Sequence, residues 1–154
     1  MAAADDAALL TCPGYQTVGW NPGLRLTPQP ITTSGSTALG PCLDVAGEIS
    51  SGSSSFTSKE ELSCLSVLTT SPGRETITWN TGEKTTFSWT AAEATATNAA
   101  GALVVTISTD IESGKFAGQH VLYVITSASL DLLDCLSPQG LQGAAGPLDL
   151  TILP

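Results

Sequence analysis

At 154 residues and a formal net charge of −9, the chain has the size of one ordinary domain and an acidic surface. Its five cations, Arg25, Lys59, Arg74, Lys84 and Lys115, stand singly among fourteen carboxylates, so the counterion release that drives binding to nucleic acid or anionic membranes is missing. The longest apolar run, 121–125, is far short of the roughly 20 residues of a membrane-crossing helix, and 42% hydrophobic residues exclude a disordered chain.

The 21 threonines and 17 serines disfavour helix, because their hydroxyls offer the backbone competing bonds, and threonine's stiff χ1 suits a pleated strand. Residues 1–11 carry two acids, Asp5 and Asp6, and an apolar tip with Leu9 and Leu10, without a turn signal or cap. They read as an extended N-terminal arm that either frays or pairs with something. The domain proper, 12–154, follows as short strand-like stretches parted by Gly, Pro, Asn and Ser, with strands expected at 15–19, 31–33, 43–49 and 62–70. The clearest unit is a hairpin over 75–90. Ile77 and Trp79 alternate with Thr76 and Thr78, and Phe87 and Trp89 with Thr86, Ser88 and Thr90, around the turn Thr81-Gly82-Glu83. Further strands are expected at 103–109, 120–126 and 148–152, and 121–125, apolar on both faces, reads as a central strand covered on both sides. One short helix is expected near 129–136, where Leu130, Leu133 and Leu136 share a face before Pro138 and Gly140 stop it. The fold class that results is all-β, an antiparallel β-sandwich or barrel of about 8–10 short strands.

Cys12, Cys42, Cys64 and Cys135 lie too far apart for a metal knuckle, and a single histidine leaves little to complete a zinc site. Disulfides are the better reading. Of the three connectivities, Cys12–Cys42 with Cys64–Cys135 is the expected one, each bridge contributing on the order of 3 to 4.5 kcal/mol through loop closure. The start Met1-Ala2-Ala3-Ala4-Asp5 looks like an initiator methionine placed on a mature chain just after a small-residue cleavage site. Together these predict a secreted protein in an oxidising, extracellular location.

The chemical signals are sparse. His120, the one imidazole, would need a nucleophile and an orienting carboxylate to act as a general base; locally hydrogen-bonded, it is only a strand-end side chain. No Gly-x-Ser-x-Gly elbow, phosphate loop or dinucleotide glycine pattern occurs. Glu60-Glu61, Asp110 with Glu112, and Asp131 with Asp134 read as solvated turn charges rather than a glycosidase pair or a calcium site. No cofactor and no metal are expected. Trp20, in the turn-rich Gly19-Trp20-Asn21-Pro22-Gly23, is placed either to stack on a sugar or fill a partner's pocket, or to pack its own loop. Trp79 and Trp89 belong to the core.

The order Gly19-Trp20-Asn21-Pro22-Gly23-Leu24, Leu39-Gly40-Pro41-Cys42, Ser63-Cys64, Thr76-Ile77-Thr78-Trp79-Asn80-Thr81-Gly82, Ser113-Gly114-Lys115-Phe116-Ala117-Gly118 and Leu132-Leu133-Asp134-Cys135-Leu136 resembles a family of small secreted β-domain proteins of actinobacteria. Some members are the adaptor subunit of the umbrella toxin particles of Streptomyces, joining a lectin-bearing subunit to a repeat-containing toxin subunit. The resemblance implies a non-enzymatic adaptor, with the arm engaging one partner and a domain surface another.

The expected function is therefore protein–protein connection in an extracellular, toxin-type assembly. The partner-binding residues expected are Asp5, Asp6, Leu9 and Leu10 on the arm, whose alternate side chains suit strand addition, and Trp20 with Arg25 on the domain. The alternatives are a carbohydrate-binding module using Trp20 or Tyr15, and a secreted protease inhibitor presenting Leu24-Arg25-Leu26.

Overall fold

The computed structural model describes residues 7–68, 72–99, 102–127 and 132–154. Ten strands form in chain order: β1 (Leu10–Leu24), β2 (Gln29–Leu39), β3 (Leu43–Asp44), β4 (Gly52–Leu62), β5 (Gly73–Trp79), β6 (Lys84–Trp89), β7 (Ala94–Ala99), β8 (Ala102–Gly114), β9 (His120–Ser127) and β10 (Leu141–Leu153). Eight of them close into an antiparallel barrel in the order β1-β2-β4-β5-β6-β8-β9-β10, because β10 pairs with β9 on one side and with β1 on the other. Of the two architectures expected, the barrel is the one formed. β3 pairs with the start of β1, and β7 with the first half of β8, both outside the ring.

Two-residue periodicity sorts the side chains. Leu10 and Cys12 of β1, Ile77 and Trp79 of β5, Phe87 of β6, Ile107 and Ile111 of β8, Val121 and Tyr123 of β9, and Leu148, Leu150 and Ile152 of β10 point inward and make one cluster. Most of the hydroxyls and charges between them face water, with Thr33, Thr37, Thr85, Thr86 and Thr109 buried instead, which is why so weakly charged a chain can still present a polar wall. Val121, Tyr123 and Ile125 line the interior as expected, but Leu122 and Val124 lie half-buried on the outer wall. The strand is thus not covered on both faces.

Both disulfides have the expected partners, Cys12–Cys42 and Cys64–Cys135, across 30 and 71 residues. Each fastens one end of the barrel. Cys12 sits wholly buried in the large cluster. Cys64 and Cys135 instead form the centre of a small one with Leu24, Ile31 and Leu141.

Three expectations change. The strand placed at 62–70 gives way to a 3₁₀ turn, Cys64–Leu68, with 69–70 outside the described residues; the turn's backbone is pinned by the disulfide and by the bond from Cys64 N–H to Arg25 C=O at 2.8 Å. The helix near 129–136 is only a 3₁₀ turn, Leu132–Leu136, with 128–131 outside the described residues. The strand at 43–49 stops at Asp44, because its carboxylate takes the N–H groups of Ala46, Glu48 and Ile49 at 3.0, 3.0 and 2.8 Å and curls the chain.

Candidate functional site

The expected arm divides. Asp5 and Asp6 lie outside the described residues. Leu9 donates its N–H to Ile152 C=O at 2.7 Å and accepts from Val45 N–H at 3.0 Å. Leu10 is a wholly buried member of the core, paired with Ile152 on one side and Asp44 on the other. Leu10 and Thr11 therefore belong to the barrel and not to an arm, because their apolar and hydrogen-bonding needs are met within it.

At that end the Cys12–Cys42 bridge and the Asp44 loop turn Leu43 and Val45 outward, 77% and 76% exposed. Burial pushes the Asp44 carboxyl up, but the three backbone N–H groups together outweigh it and hold it below its ordinary value. The loop that carries Val45 is thus organised around an anion that has a reason to stay ionised.

At the other end three segments converge. Cys64 is bonded to Cys135, its N–H is held by Arg25, and the Arg25 guanidinium donates to Pro138 C=O. From these segments Leu26, Leu65, Leu133 and Leu136 project into solvent at 57 to 74% exposure. Leu43, Leu65 and Leu136 each directly follow a disulfide cysteine. A covalently fixed backbone holding an exposed leucine presents an apolar contact with less backbone entropy left to lose on binding. Nothing in the hydrophobic pattern distinguishes these leucines from core ones. The repeated Cys-Leu pair was the available signal.

Trp20 is half-buried against the small cluster beneath this surface, so it supports the end rather than standing clear as a stacking platform. Arg25 is exposed and acts as a strap between loops. Leu24 is wholly buried, which anchors the 24–26 segment that the inhibitor reading needs to protrude. Tyr15 lies 53% exposed on the outer wall, among serine and threonine hydroxyls.

His120 does meet a serine and a carboxylate. Its Nε2 is 2.7 Å from Ser108 Oγ and its Nδ1 3.0 Å from Asp110 Oδ1, since Asp110 pairs directly with His120 across β8 and β9 and Ser108 lies two residues along on the same face. The order is that of a nucleophile, a base and an orienter. The array lies on the convex outer wall, with Ser108 exposed and the Asp110 side chain 80% exposed, where water screens the Asp–His bond.

Inside the barrel a polar band crosses above the large cluster. The Tyr123 hydroxyl donates to Glu75 Oε2 at 2.7 Å, Ser54 adds a second bond to the same carboxylate, and Gln16 Nε2 donates to Thr37 Oγ1 at 3.4 Å. Burial, the larger effect, raises the Glu75 pKa above its ordinary value against these bonds. Burial and then the Glu75 charge push the Tyr123 phenol above its ordinary range.

Comparison with protein-family models, with curated proteins and with solved structures finds no match to this chain. The geometry defines a disulfide-braced, eight-stranded closed barrel with apolar contacts fixed at both ends. Among the described residues no helix is long and apolar enough to cross a membrane, and no group of three or more His, Cys, Asp or Glu is placed to hold a metal ion.

Proposed function

We propose that this chain is a secreted, non-enzymatic connector that joins two protein subunits of an extracellular assembly, one at each end of the barrel. The observation that carries the reading is the pairing of exposed leucines with disulfides at the two ends of β1. That strand has 15 residues and rises about 3.3 Å per residue, so the ends stand up to roughly 45 Å apart. Apolar side chains fixed in place and ringed by polar surface are what a partner's pocket recognises. Two such surfaces on one rigid body let it hold two partners at once. The actinobacterial resemblance supplies their kind, a lectin-bearing subunit and a repeat-containing toxin subunit, and two disulfides fit an oxidising location. Asp5 and Asp6, which precede Leu9 in the sequence, add charge that would steer the chain toward a basic rim.

The test separates the ends. Leu43→Asp with Val45→Asp is expected to lose one captured partner from the supernatant of a producing culture. Leu65→Asp with Leu136→Asp is expected to lose a different one. Both variants should melt within a few degrees of the parent, since exposed substitutions cost within about 0.5 kcal/mol. Identical capture by both variants and the parent overturns the reading.

A further inference from the structure

The barrel wall opens between β4 and β5. Only Gly52 with Trp79 and Ser53 with Thr78 pair there, although β4 continues to Leu62 and β5 begins at Gly73. Above the last pair the two strands diverge around a cavity of about 470 Å³, within the usual range for small-molecule sites. Glu75 and Tyr123 form its inner part, Ile107 and Ile125 an apolar wall, and Phe56 and Trp89 line it as well.

Both aromatic rings are set by glycines directly across the ladder. Phe56 pairs with Gly35 and Trp89 with Gly73. A methyl on Gly35 would come within 2.2 Å of the Phe56 ring, and one on Gly73 within 2.4 Å of the Trp89 ring. Each ring occupies the space a side chain would take at the facing glycine, so both positions depend on bare backbone across the ladder.

The charge inside is unbalanced. Glu75 accepts hydrogen bonds from two neutral hydroxyls, and none of the ion pairs among the described residues includes it. Arg74, its chain neighbour, also lines the cavity, but its guanidinium is paired with Glu112 at 3.1 Å. Glu60 adds a second carboxylate to the cavity lining. A carboxylate withdrawn from water without a counter-charge is costly, and a cation held between aromatic faces is attracted by their π-electrons.

We propose that this cavity binds a small organic cation, an ammonium group carried on an apolar or aromatic body. The ammonium sits against Glu75, and the body lies between the Phe56 and Trp89 rings and against Ile107 and Ile125. A neutral ligand of the same shape leaves Glu75 uncompensated, and an anion is repelled. This assignment stands apart from the connector reading, since it uses the side of the barrel and none of the end leucines.

Calorimetric titration of the whole chain with 2-phenylethylamine, its N,N,N-trimethyl analogue and the neutral 2-phenylethanol tests it. Both cations are expected to bind at least roughly tenfold tighter than the alcohol. Glu75→Gln, which keeps an acceptor for Tyr123, should remove that preference. Phe56→Ala, which removes a partly exposed ring and leaves the large core intact, should weaken both cations severalfold. Absence of cation binding at millimolar concentration, equal affinity for the alcohol, or cation affinity unaltered in a folded Glu75→Gln or Phe56→Ala chain overturns the proposal.

Discussion

The two halves of the barrel use the same strands and hold together by different means. Around Leu10 and Ile152 the ring is closed on every side, and fifteen buried residues form one continuous core. Around Leu24 and Leu141 the β4–β5 wall has split, and the buried cluster shrinks to five, two of them the bonded cysteines. The hydroxyl of Thr33, on the inner face of β2, is buried there without a partner. A cavity and a full apolar core compete for the same interior. Where the strands part to make the first, covalent closure stands in for the second.

The largest effect should come from cutting that closure. Replacing Cys64 and Cys135 by serine releases a loop of 71 residues, worth about 4.4 kcal/mol on the chain-entropy account. Hydrogen exchange should rise first at 20–24 and 29–33, while 10–12 and 148–152 stay protected. Exchange that rises equally in both halves would mean they are one cooperative unit. Next in size, Phe87→Ala should cost about 4 kcal/mol in a urea melt, because the ring is wholly buried and packs edge-on against Tyr123 at 5.6 Å. Phe56→Ala should cost less than about 1 kcal/mol, its ring being 41% exposed. Similar costs would remove the distinction between a packed and an open half.

The packed half is more legible in the sequence than the open half, where the 31–33 strand and the Cys64–Cys135 bridge can be read but the cavity cannot. Alternation at Ile77/Trp79, Phe87/Trp89, Leu103/Val105/Ile107 and Leu148/Leu150/Ile152 records burial on one face, which is a local signal. β4 does not show in the sequence because Phe56, Ser58 and Glu60 line a cavity rather than a packed core, and the strand so lacks that alternation. β7 was missed because Ala94, Ala96 and Thr97 carry too little side chain to mark a face. The disulfide pairing follows from the sequence, whereas the placing of Phe56 and Trp89 beside the cavity does not: the sequence points to Trp20 and Tyr15 as the exposed aromatics and to Trp89 as core. The positions of Phe56 and Trp89 over Gly35 and Gly73 depend on cross-strand register, which one strand's sequence does not encode. In the sequence, the leucines after Cys42, Cys64 and Cys135 look like strand or helix positions. A covalent anchor had freed them from packing.

The smallest effect concerns two carboxylates that draw the comparison in pH. Asp44, beside the packed end, is held below its ordinary value of 3.8. Its bonds to the Asp44 loop contribute stability that is present above that value and lost as pH falls through the folded one. Glu75, within the polar band, is raised above its ordinary 4.5. The folded chain then binds the proton more tightly than the unfolded chain, so stability is greatest below 4.5 and declines as pH rises through the folded value. Urea melts across acid pH should therefore show Asp44→Asn losing the wild type's drop at the acid limb. Glu75→Gln should gain on the wild type from about pH 4.5 toward neutrality. Bound 2-phenylethylamine should reproduce that gain in the wild type and not in Glu75→Gln, because a cation and a neutral side chain relieve the same buried charge. A Glu75→Gln difference that stays constant with pH would show Glu75 to be solvated like any surface carboxylate, and the open half would then be an incompletely closed wall with no electrostatic demand inside it.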